Sequence, residues 1–88
     1  MLQKLSGIEY IGTAIERVIE SKKYVWIVCS DEEEQEQAYL TAIQKLETGP
    51  SYYRGSVNIE KGETTSIVGN RYKDFPALLF TYNWRRSL

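Results

Sequence analysis

Five carboxylates crowd one short stretch of this chain: Asp31, Glu32, Glu33, Glu34 and Glu36, in SDEEEQEQ, directly after the apolar run YVWIVC from Tyr24 to Cys29. Carboxylate oxygens clustered beyond a strand could hold a hard divalent cation such as Mg²⁺ or Ca²⁺. The spacing opposes that use. Consecutive helical residues diverge by about 100°, so only pairs three or four apart, such as Glu32 with Glu36, share a face, and there is no DxDxDG-type loop. The same residues have a plainer role. Ser30 and Glu33 form an S-x-x-E capping box, and acidic side chains in a first helical turn offset the positive end of the macrodipole. The stretch reads as a helix start, and no metal site is expected.

Cys29 is the second group with chemistry to offer. VCS resembles the phosphate-cradling cysteine loops of some phosphotransfer proteins and phosphatases, over those three residues only. Such loops continue with glycine or arginine, so that backbone N–H groups and a cation meet the phosphate; here carboxylates follow and would repel it. They also oppose thiolate formation, so a buried structural cysteine is the expectation. The chain has no histidine, which removes the commonest general base and the Ser-His and Cys-His nucleophile pairs. Nucleotide-phosphate stretches of the GxxxxGK[ST] or GxGxxG type are missing too. A non-enzymatic protein without a cofactor is the reading.

The third constellation is basic and aromatic. SYYRG and NRYKDF set tyrosines beside cations, and Tyr52, Tyr53, Arg54, Arg71, Tyr72 and Lys73 could stack bases and pair phosphates of a nucleotide or a single-stranded nucleic acid. Aromatic residues in strands are more often buried in a core or subunit interface, which makes this the alternative rather than the leading expectation. Charge is polarised along the chain. The net value of −1 conceals −4 over residues 1–49 and +3 over residues 50–88, a split that suggests opposed surface patches able to steer a partner.

Elements to position these groups are readable from period and punctuation. Ser6 and Glu9 form a first capping box with Leu5 and Tyr10 at the staple positions, and the apolar stripe from Ile8 through Ile19 predicts a helix over about residues 7–21. YVWIVC is apolar at both parities, as a strand covered on both faces would be. A second helix carries Ala38, Tyr39, Ala42, Ile43 and Leu46 inward and should end at Gly49-Pro50 with a left-handed cap. YYRGSVNI and TTSIV then read as a hairpin turning at EKGE, with Gly62 supplying a positive φ, and ALLFTYNW as a last strand. The expected order is α-β-α-β-β-β: an α+β domain spanning 1–88, with a mostly antiparallel sheet of about four strands packed with two helices.

A chain of 88 residues buries only ~60–65% of its unfolded surface, and one cysteine with no histidine leaves self-association as its remaining reinforcement. At 42% hydrophobic and 26% charged the composition is that of a globular protein. No apolar run is long enough to cross a bilayer and MLQKLSGIEY lacks the apolar core of a signal peptide, so the expectation is a cytoplasmic protein without a membrane partner. Together these readings point to a small interaction protein, an inhibitor or adaptor of the kind phages and mobile elements encode. It is expected to bind another protein by surface complementarity and to form a homodimer. Phe80, Tyr82 and Trp84 are the expected contact residues, with Leu79 and Thr81 in their place if the first set faces the helices.

Overall fold

The computed structural model describes residues 10–64 and 75–84. Its elements are α1 (Ile11–Ser21), β1 (Val25–Val28), α2 (Glu32–Thr48), α3 (Ser51–Ser56), β2 (Val57–Glu63) and β3 (Pro76–Tyr82). The sheet has the order β1-β3-β2 and both pairings are antiparallel, with Val25 opposite Phe80 and Ile59 opposite Phe80 from the other side. The class is α+β, as expected. Among the described residues there are three strands and three helices, not four and two.

Both long helices pack on one face of this sheet. Ile11, Ala14, Ile15 and Val18 of α1 and Ala38, Ala42 and Leu46 of α2 meet Ile27, Cys29, Val57, Leu78 and Phe80 in a single core. The sheet contributes only one parity from each strand, the side that also carries Val25, Ile59 and Tyr82. Full burial of Phe80, Ile11, Ile15 and Leu78 stabilises the domain by roughly 1.5–3 kcal/mol per side chain. A further tie joins the layers through the Gln35 amide, whose Nε2 donates to the carbonyls of Gly62 at 3.0 Å and Ala77 at 2.9 Å.

Several local expectations are corrected. SYYRGS is the short helix α3 and not a strand, although tyrosine pairs favour strands. Its first turn closes through Tyr53 N–H to the Pro50 carbonyl, and the turn brings both tyrosine hydroxyls to Glu16 of α1. EKGE is no turn, because Glu60 to Glu63 continue β2 and pair with β3 as far as Glu63 opposite Pro76. Thr64 closes that ladder, its N–H donating to the Phe75 carbonyl and its Oγ1 accepting from the Phe75 N–H, both at 2.8 Å. The rest of the expected TTSIV strand lies outside the described residues, as do Ser6 and Glu9 of the first capping box.

Helix ends differ from expectation for steric and electrostatic reasons. Asp31, not Ser30, caps α2: its Oδ1 accepts from the Glu34 N–H at 2.8 Å, and Glu34 reaches back to Ser30 N–H and Oγ at 3.2 and 3.3 Å. The cap is displaced by one residue, and the reciprocal bond goes to the residue before it. Gly49 has φ −79° and is not left-handed. A Cβ there would stand 2.6 Å from the Lys45 carbonyl and 2.8 Å from Cδ2 of Tyr53, so glycine is needed for close approach. Among the described non-glycine residues the left-handed one is Lys22, which ends α1 at φ 57°.

Candidate interaction surface

Because the helices share one face, the other face of the sheet is built from the remaining parity: Trp26 and Val28 of β1, Ala77, Leu79 and Thr81 of β3, and Asn58, Glu60 and Gly62 of β2. Continuing the alternation of β1 by one residue adds Tyr24. Among the described residues no helix covers this side. Tyr24 is 67% exposed and Val28 49%, while Trp26, Leu79 and Thr81 are half-buried. Trp26 lies partly on its own sheet, its indole crossing β3 to reach Gly62. Ala77, between those strands, is fully buried.

The expected contact residues divide. Phe80 is fully buried beneath the helices and offers no surface, because even-numbered positions of β3 point into the core. Tyr82 packs at the margin of that core, and Trp84, 60% exposed, meets it edge-on with centroids 4.9 Å apart. The Lys22 ammonium stands over both rings, 5.8 and 6.0 Å from their centroids. The edge of ALLFTYNW is closed as well: β3 is the central strand, bonded on both sides, so among the described residues the free edges belong to β1 and β2.

On the basic and aromatic surface, Tyr52, Tyr53 and Arg54 sit together on α3, whereas Arg71, Tyr72 and Lys73 lie outside the described residues. The two tyrosine rings meet edge-to-face at 5.0 Å, and both hydroxyls donate to Oε1 of Glu16. That bond, with some desolvation, pushes the Tyr53 hydroxyl up to about 12. A carboxylate beside the rings disfavours a phosphate there.

The acidic stretch is occupied with structure. Asp31 and Glu34 cap α2, and Glu36 pairs with Lys61 of β2, whose ammonium also lies 4.9 Å from the Tyr39 ring centroid. Cys29 is buried at 1% exposure, and burial first, then Glu34 and Asp31, pushes its thiol up to about 11. An open polar cleft of about 430 Å³ lies beside the Gln35 amide, lined also by Glu32, Lys61, Glu63 and Phe75. No helix among the described residues is long and apolar enough to cross a membrane.

Sequence reasoning found the apolar residues of the uncovered face but not their grouping. Trp26 and Val28 were legible only as members of an apolar run, since nothing in YVWIVC says which parity meets the helices. Comparison with protein-family models, with characterised proteins and with solved structures finds no match, so function is argued from the residues themselves.

Proposed function

We propose that this is a non-enzymatic interaction protein of the cytoplasm that binds other proteins by surface complementarity, and that its first partner is a second copy of itself, met through the sheet. One observation carries the reading. Both helices lie on one face of the sheet, and Tyr24, Trp26, Val28, Leu79 and Thr81 are left together on the other. Aromatic and aliphatic side chains grouped on an uncovered face are the composition of interface anchors, and a domain this small gains stability by covering them. Leu79 and Thr81 replace Phe80 as contact residues.

Light scattering at micromolar concentration tests this: a mass near 10.2 kDa ends the proposal, and a mass near twice that supports it. The alternative, a nucleotide or single-stranded nucleic-acid binder, is checked on the same freshly purified sample. Retained nucleotide would raise its ultraviolet absorbance relative to that of the aromatic side chains.

A further inference from the structure

The ladder itself distinguishes the sheet's two edges. Cys29 N–H donates to the Pro76 carbonyl at 2.8 Å, in register with Ile27 opposite Leu78 and Val25 opposite Phe80. Bonded pairs alternate along an antiparallel ladder, so residues 25, 27 and 29 turn their backbone groups toward β3, and Trp26 and Val28 turn theirs outward. On the other side, Thr64 N–H to Phe75 O and Asn83 N–H to Ser56 O place the even-numbered residues against β3, leaving Val57, Ile59 and Lys61 facing out.

The edges differ in what they carry. β2 includes Glu60, Lys61, Gly62 and Glu63, the charges and glycine that blunt an edge against further pairing, and Lys61 is held by Glu36 of α2. β1 is VWIV, without a charge. Its flanks are charged and opposite in sign: Lys22 and Lys23 precede it, and Asp31 to Glu34 follow. Two copies of such a segment set antiparallel about a two-fold axis bring each basic flank against the other's acidic flank.

Resting on the self-association reading, we propose that β1 pairs antiparallel with β1 of a second copy, joining two sheets into one, with Ile27 opposite Ile27 across the two-fold axis. The edge admits registers centred on Trp26, Ile27 or Val28, and the one centred on Ile27 pairs both outward-facing residues within β1. Bonded pairs must join outward-facing residues, so Trp26 exchanges N–H···O=C bonds with Val28 of the second copy, and reciprocally. The same register brings the Lys22–Lys23 end of each β1 to the end of the other where Asp31–Glu34 begin α2. Centring on Trp26 or on Val28 instead would draw Tyr24 or Ser30, which lie outside β1, into the bonded pairs. Trp26 and Val28 share the uncovered face, so the seam also lays each indole beside a valine that is half-exposed in the single chain.

Val28→Pro removes an N–H that serves only the outer edge, a position where proline is tolerated, and keeps the bonds of residues 25, 27 and 29 to β3. The expected result is a monomer by light scattering with an unchanged circular dichroism spectrum. Lys23→Glu should weaken dimerisation roughly threefold at low salt, as should Glu33→Lys, both being exposed, and mixing the two variants should restore a dimer. Should Val28→Pro fail to fold, amide exchange in the wild type decides, with Trp26 and Val28 protected above the dimer's Kd and released below it. A wild-type monomer would end self-association altogether. A wild-type dimer in which those amides exchange as fast as in the monomer, and which survives the flank reversals, would overturn this seam while leaving self-association through the uncovered face intact.

Discussion

The indole of Trp26 on β1 lies against Gly62 on β2, across the intervening strand: a Cβ at position 62 would stand 3.3 Å from Cζ3 of the ring. Glycine in a strand interior costs roughly 0.5–1 kcal/mol relative to alanine, and here the loss is offset by the aromatic surface laid over it.

The contact makes Gly62 substitutions graded in effect. Gly62→Ala asks the ring to rise by a few tenths of an ångström, against a gain in strand preference, and should change stability by no more than about 0.5 kcal/mol. Gly62→Val cannot be absorbed that way and should cost about 1–2 kcal/mol. In a Trp84→Phe background, Trp26 fluorescence should shift to the red for valine and stay in place for alanine. Equal shifts for both would mean that the ring does not rest on position 62.

Lys22 combines two opposing effects. Its left-handed backbone costs roughly 1 kcal/mol relative to glycine, whereas its ammonium over Tyr82 and Trp84 returns about 0.5–1 kcal/mol. Lys22→Met keeps the strain and loses the cation, so it should destabilise. Lys22→Gly loses both and should fall near the wild type, about 1 kcal/mol above Lys22→Met, in urea denaturation at a concentration where the protein is monomeric. Equal stability of the two variants would remove the backbone argument.

The start of α2 separates two cap assignments. With Asp31 as the cap, Asp31→Ala should cost about 1 kcal/mol, while Ser30→Ala, which loses one long bond to Glu34, should cost only a few tenths. Thermal unfolding of the pair is sufficient, and the reverse order would return the cap to Ser30. Glu33→Gln should be almost silent, since its exposed carboxylate acts on the helix only through the macrodipole.

Much of the scaffold was legible because its signals are local. The stripe Ile11, Ala14, Ile15 and Val18 repeats at helical spacing, and Phe80 and Leu78 alternate with Leu79 and Ala77 as strand residues must. The misreadings share a cause: a local signal was outweighed by a distant contact. Tyr52 and Tyr53 have strand preference, but Glu16, far earlier in the chain, receives their hydroxyls only if Ser51–Ser56 turn as a helix. Gly62 looks like a turn residue until Trp26 is placed over it. The uncovered face was illegible for a deeper reason, because alternation divides a strand into two sides without saying which side the helices take.

The Tyr53–Glu16 bond carries a pH dependence of definite sign. The hydroxyl is pushed from its usual 10 up to about 12, chiefly because its proton is held by the Glu16 carboxylate. The unfolded chain releases that proton first. Between those two values it therefore binds fewer protons than the folded chain, and stability falls as pH rises. The contribution is complete below pH 10 and is lost as pH climbs through about 12. Melts of the wild type should lose more on moving from pH 9.5 to 11.5 than those of Tyr53→Phe or Glu16→Gln. The chain holds six other tyrosines, so the informative quantity is the difference between the wild type and Tyr53→Phe, in melts and in ultraviolet phenolate absorbance alike. That absorbance difference should rise late, above the ordinary tyrosine value, and move down toward it in the Glu16→Gln background. A Tyr53 step at the ordinary value in the wild type would show that the hydroxyl is not held by Glu16 in solution.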